Sequence, residues 1–207
     1  MAIRPAWYTK DGIVIKKDFS FEWNPGFSIS QKKKNIVNLH NAINGKSLEI
    51  STKSDINIGK MLSAFNLKLD GYILECVFQA SKVFEFGGPY VDILKMSPRQ
   101  AKHDERKNES GKLIAFEYNK KRWPLIPRTA FYDYIYICSV LQSISKEEIE
   151  YINNYEYFTD IEYNPKKSLN CQARAVALLK LILSMNIDIS TFTQEEWIEF
   201  HKNNVKD

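Results

Sequence analysis

Apolar residues recur along the chain with two periods, and the switches between them mark the elements. Val14, Ile15, Phe19, Phe21 and Trp23 alternate loosely with polar residues over Ile13 to Trp23, which predicts a strand or two. Pro25-Gly26 then turns the chain. From Gln31 to Asn44, Ile36, Leu39, His40 and Ile43 stand at helical spacing, with Ser30 as a cap in front and Gly45 as a stop behind. Leu48 to Ser51 reads as a short strand, and Ser54 caps a predicted short helix over Asp55 to Ala64. Leu67 to Leu69 and Tyr72 to Leu74 flank Asp70-Gly71, a dipeptide that tolerates the positive φ of a tight hairpin turn. Glu75 to Phe84 predicts a helix, and Ser97-Pro98 opens another with a cap and a proline at the first helical position. Leu113 to Tyr118 is a strand. Ala130 to Leu141 puts Phe131, Tyr134, Ile135, Cys138 and Leu141 on one helical face. Gln172 to Leu183 is apolar nearly all round, as befits a central buried helix, and Thr193 with Glu196 boxes the start of a last helix at about 193–203. This order predicts a helix-rich α+β single domain over 1–207. It has no βαβαβ rhythm, so a Rossmann sheet is excluded.

Composition narrows the class. The 207 residues are 44% hydrophobic and 26% charged, with only 8 Gly and 7 Pro, which excludes collagenous and disordered chains. A net charge of +4 is too small for a histone-like arm but compatible with a phosphate-rich ligand. Aromatic content is high at 13%. Cys76, Cys138 and Cys171 are odd in number and widely spaced, and the start Met1-Ala2-Ile3-Arg4-Pro5 has no signal-peptide pattern, so reduced thiols and a cytoplasmic location are expected. His40, His103 and His201 are scattered and match no zinc spacing, so no metal is expected. The longest apolar stretch, Ala173 to Leu183, is too short to span a membrane.

The candidate chemistry lies in the helix predicted over Glu75 to Phe84. Glu75, Gln79 and Lys82 fall at i, i+4 and i+7, one polar stripe, with apolar residues on both flanks. Burying a carboxylate or an ammonium is costly unless it is paired. Either a cleft runs along the stripe and the groups satisfy one another, or the stripe is simply an outward polar face. Phe86-Gly87-Gly88-Pro89-Tyr90 could bring backbone N–H groups close to a phosphate, or be only a turn. Lys120-Lys121-Arg122-Trp123 sets a large ring beside three positive charges, a combination that suits a nucleotide and equally a solvated hairpin tip. No nucleophile elbow or Gly-x-Gly-x-x-Gly loop is present.

Leu62-Ser63-Ala64-Phe65-Asn66, then Asp70-Gly71-Tyr72, then Glu75-Cys76-Val77-Phe78-Gln79-Ala80-Ser81-Lys82 resembles the core of the NADAR superfamily, whose pattern runs approximately Leu-Ser-Asn-Phe, a short hairpin and Glu-His-x-Tyr-Gln-Ala-x-Lys. Ser97 to Arg106 resembles the helix that follows in that family. Phe84 to Tyr90, Thr129 to Asp133 and Phe158 to Gln172 resemble the branch associated with DarT-type toxins that ADP-ribosylate DNA. The resemblance covers about 21–181. Cys76 and Ala64 depart from it, standing where many members have His and Asn.

The resemblance implies an N-glycosidase that removes ADP-ribose from guanine in DNA and so acts as an antitoxin. Its implied partners are ADP-ribosylated DNA, single-stranded, the product ADP-ribose and a cognate toxin, with no cofactor. Glu75, Lys82 and Asp160 are the implied catalytic residues. Ser63, Asn66, Gln79, Gly88, Tyr90, Asn164 and Lys166 are implied substrate contacts, and Trp123 is expected to stack on a base or close the pocket. Two other readings remain: a housekeeping N-glycosidase on small ribosylamino intermediates of the riboflavin pathway, and a basic module that binds ADP-ribosylated nucleic acid without turnover. Residues 1–11 and the tail after Asn186 lie outside the resemblance and carry no expected role.

Overall fold

The computed structural model describes residues 1–206. Strands β1 (Ala2–Lys10) and β2 (Ile13–Phe21) form a long antiparallel hairpin. Its turn is Asp11-Gly12, both at positive φ (51° and 73°), the conformation an Asp-Gly hairpin turn requires. Helix α1 (Ile29–Ala42) follows, capped by Ser28, whose hydroxyl accepts from the Gln31 N–H, and not by the expected Ser30. Next come β3 (Ser47–Glu49), α2 (Asn57–Met61), and the hairpin β4 (Lys68–Leu69) and β5 (Tyr72–Ile73). The Ser54 hydroxyl accepts from the Ile56 N–H just before α2, so this helix is shorter than expected and has no side-chain cap of its own.

Helix α3 (Leu74–Ala80) gives way at once to strand β6 (Lys82–Phe84). This corrects the continuous helix expected over Glu75 to Phe84. The Ser81 N–H and hydroxyl both bond the Val77 carbonyl and close the helix. Lys82, Val83 and Phe84 then pair with a neighbouring strand, which satisfies their backbone better than another helical turn would. Helices α4 (Pro98–Lys102, boxed by Ser97 and Gln100) and α5 (Arg106–Glu109) precede β7 (Leu113–Tyr118) and β8 (Lys121–Trp123). The chain ends with α6 (Ala130–Ser143), α7 (Lys146–Glu150), β9 (Tyr157–Thr159), α8 (Gln172–Ser184) and α9 (Gln194–Asn204, boxed by Thr193 and Glu196).

The strands build a four-stranded sheet in the order β2-β1-β9-β3 and a three-stranded sheet in the order β6-β7-β8. β1 meets β9 antiparallel through Ala6–Thr159 and Trp7–Phe158, while β3 runs parallel to β9. Helix α8 is buried along almost its whole length and lies between the larger sheet and α6. Its residues Val176 to Leu179 are wholly inaccessible. Val176, Leu178 and Leu179 each contribute about 1.5–3 kcal/mol by leaving water. The result is the α+β, helix-rich domain that the sequence predicts. The N-terminal residues, which carried no expected role, form an inner strand of the main sheet. No helix among the described residues is long and apolar enough to cross a membrane.

Candidate active site

α3 presents Glu75 and Gln79 one turn apart, and β6 begins with Lys82 immediately afterwards. The Gln79 amide nitrogen donates to Glu75 Oε1 at 2.9 Å, and Lys82 Nζ donates to Gln79 Oε1 at 2.8 Å. The stripe expected from helical spacing is therefore real, although Lys82 reaches it from a strand. Gln79 is buried while Glu75 and Lys82 are half-buried. No salt bridge links the two charges, because the neutral amide stands between them. Lys82 also lies over the Phe78 ring, 4.9 Å from its centroid. Burial, followed by the nearby charge of Lys107, pushes the Lys82 amine down to about 8, against the pull of Glu75.

Lys107 on α5 was absent from the expected site residues; the stretch that resembles the family's following helix, Ser97 to Arg106, ends one residue before it. Its ammonium donates to the same Gln79 oxygen at 2.9 Å and to the carbonyls of Ala101 and Lys102 at 2.7 and 2.9 Å. A lysine in a four-residue helix carries no periodic signal, so the sequence offered no way to single it out.

Asp160 follows β9 directly and is buried. Gln172, the first residue of α8, donates to Asp160 Oδ2 at 3.0 Å and accepts from the Ala64 N–H at 2.6 Å. The Ala64 carbonyl in turn accepts from the Glu75 N–H at 3.2 Å. The backbone of one residue thus ties the Asp160 end of the site to the Glu75 end, through a residue that departs from the family pattern without losing its backbone contacts. Burial, then the charge of Glu49, pushes Asp160 up to about 7, against the N–H donors of Gln172 and Glu162. Glu49 on β3 was also unforeseen. It is buried, accepts from the Thr159 hydroxyl at 2.7 Å and the Ile161 N–H at 2.9 Å, and is itself raised by burial. Its signal was a single acid between Leu48 and Ile50 in a short apolar strand.

The other expected contacts divide. Gly88 has φ +81°, and a Cβ there would come within 2.3 Å of the Lys82 carbonyl oxygen. The glycine loop therefore presses its backbone against β6 behind Lys82. Tyr90 donates its N–H to the Ala80 carbonyl, its hydroxyl meets Ser110 Oγ at 2.5 Å, and its ring lies under the Arg106 guanidinium at 4.5 Å. Ser63 is buried, and its carbonyl accepts from Asn66 and Leu67 in the turn that carries Ala64. The Asn66 side chain is spent on the Lys60 carbonyl at 2.7 Å. Asn164 closes its own turn, accepting from Lys166, Lys167 and Ser168, and Lys166 is exposed there.

Trp123 is a correction. It is 3% exposed and packed on Phe131 and Tyr134, with ring centroids 5.5 and 4.7 Å away. The end of β8 turns inward over α6, so this ring belongs to the core and has no free face for a base. Lys120, Lys121 and Arg122 occupy the exposed hairpin tip, where Asn119 and Lys120 take positive φ.

The short α3 bearing Glu75 and Gln79, the lysine at the start of the next strand and the Ser63–Asn66 turn that clamps them lie in the segments that resemble the NADAR core. The family model of DarT1-associated NADAR antitoxins matches residues 2–207, and the chain belongs to that family. The match takes in the N-terminal hairpin and α9, extending well past the 21–181 span of the sequence resemblance. An antitoxin role linked to DarT follows, and NADAR proteins are generally associated with glycosidase activity. No curated protein matches the chain.

Proposed function

We propose that this antitoxin is an N-glycosidase that releases ADP-ribose from guanine bases of DNA. The observation that carries this reading is the Gln79 amide, which holds the Glu75 carboxylate on one side and a partly buried Lys82 amine, lowered to about 8, on the other. An amine of that proton affinity has a minor but useful neutral fraction near physiological pH, and only the neutral form is a nucleophile. Lys82 adds to C1 of the ribose as the C1–N bond to guanine breaks. Asp160, held protonated by its raised pKa, gives its proton to the departing nitrogen and takes the surplus proton of the new C1–amine bond. The ribosylamine opens to a Schiff base. Water, deprotonated by Glu75, adds to it, and the carbinolamine collapses to ADP-ribose and free Lys82. Glu75 also opposes the positive charge that develops on the sugar. Exposed Lys120, Lys121 and Arg122 offer phosphates a basic edge, which favours a nucleic-acid substrate over a small ribosylamino one.

Mixing the protein with an ADP-ribosylated oligonucleotide is expected to yield free ADP-ribose, and cyanoborohydride added during turnover is expected to trap the sugar on Lys82. Binding without release of ADP-ribose would overturn the proposal in favour of a simple binding module. Release with no trapped lysine would replace the amine step by direct attack of water.

A further inference from the structure

Among the partly buried charges, Lys107 stands out for what it lacks. Its three N–H donors all go to neutral oxygens: the Gln79 amide and the carbonyls of Ala101 and Lys102. The acids that could neutralise it are engaged elsewhere. Arg106 binds Asp104 through Nε at 3.0 Å and Nη2 at 2.7 Å, and it binds Asp92 through Nη1 at 3.2 Å and Nη2 at 2.8 Å. Lys107 makes no salt bridge among the described residues. It shares a single acceptor atom with Lys82, and burial lowers its own amine below the usual lysine range.

We infer that Lys107 is a positioning residue whose charge favours the unprotonated form of the Lys82 amine. The inference rests on the reading of Lys82 as the reacting amine and deepens it. Two ammonium groups on one oxygen lie within the range over which like charges repel, and each suppresses protonation of the other. The carbonyls at the end of α4 accept from Lys107, whereas among the described residues no backbone carbonyl accepts from Lys82. The proton is therefore lost from Lys82 first. The other groups facing Lys82 act as minor partners: Glu75 on α3 works in the opposite sense, Lys102 on α4 in the same sense, the Phe78 ring lies beneath, and Phe116 is its uncharged partner across β7. Gln79 is the device that makes this geometry possible, since its single carbonyl oxygen collects both cations while its amino group holds Glu75 apart from them.

The direct test is competitive acetylation of the intact protein with acetic anhydride across pH, read on the Lys82 peptide by mass spectrometry. In Lys107→Gln, which keeps a donor for the α4 carbonyls but loses the charge, the labelling midpoint of Lys82 is expected to rise by about one pH unit. Lys107→Arg is expected to restore the original midpoint. An unchanged midpoint in a Lys107→Gln protein that melts normally would overturn the inference. If that variant does not fold, Lys107→Met read the same way carries the test. The acid edge of ADP-ribose release, where Lys82 must lose its proton, is measured in parallel as absolute rates. A labelling midpoint that moves while the edge of release stays fixed would leave the charge effect standing and remove Lys82 from the chemistry.

Discussion

Two charge clusters, one buried and one partly buried, are built on opposite plans. In the first, Asp133 on α6 receives Arg174 of α8 through Nε and Nη2, both at 3.0 Å, and His201 of α9 through Nε2 at 2.8 Å. All three residues are at most 2% exposed. Burial alone would raise the Asp133 pKa, but Arg174 and the contacts from His201 outweigh it and hold the carboxylate below its usual range. In the second, Glu75, Lys82 and Lys107 meet on a neutral amide with no salt bridge, and Asp160 lies against Glu49 with no cation paired to either. The first cluster is closed by opposite charge and staples three helices. The second leaves its charges unbalanced, a costly arrangement in a protein interior unless the perturbed proton affinities are used. Burial alone does not distinguish a structural ion cluster from a reactive one; the pairing does.

The largest expected effect comes from opening the closed cluster. Arg174→Met leaves Asp133 buried with only His201 beside it, and is expected to cost about 3–5 kcal/mol. Denaturant unfolding would show this, while ADP-ribose release per folded molecule stays close to normal. Equal stability in this variant would erase the distinction between the clusters. Glu75→Gln is the mirror experiment. It is expected to lower turnover about 10²–10⁴-fold with little change in melting temperature, and full turnover would remove Glu75 from the chemistry. Third in size is the pH response. With Lys82 reacting as the free amine and Asp160 as the acid, release is expected to peak between about 7 and 8, and Asp160→Asn is expected to lose the alkaline fall. Asp160 also couples to stability. It binds its proton more tightly in the folded state, so its contribution is full in the ordinary carboxylate range and is lost as pH rises through about 7. Urea titrations of the protein and Asp160→Asn at pH 5 and pH 8 check that sign. Smallest is Trp123→Phe, expected to cost about 1–2 kcal/mol in packing and to leave the KM for modified DNA unchanged. A raised KM would return this ring to the substrate.

Much of this was legible in the sequence for identifiable reasons. Period and capping chemistry located α1, α6, α8, α9 and β7 closely, because those elements bury one face or nearly all of their surface and announce it. The Glu75–Gln79 pair was legible because both residues stand on one true helical turn. Lys82 was placed on the right stripe with the wrong backbone: helical spacing has no term for the strand partner, Phe116, that draws it into β6. Trp123 misled because proximity to Lys120 and Arg122 in sequence says nothing about the strand alternation that turns the ring inward. Asp11-Gly12 was a readable hairpin signal that would have revealed β1. Glu49 and Lys107 depend on which distant segments meet, and no local pattern carries that.

The pairing of β1 with β9 bears on how the domain assembles. Ala6 meets Thr159 and Trp7 meets Phe158, contacts between segments far apart along the chain, and Asp160 is the next residue after that seam. Pairings of such long range are slow to form, because the loop between them must be closed before any contact is gained. Local turns can set up Glu75, Gln79 and Lys82 early in folding. The carboxyl side of the site waits for the seam, so hydrolytic competence should appear with the last cooperative phase of refolding and be lost with the first disruption of β1.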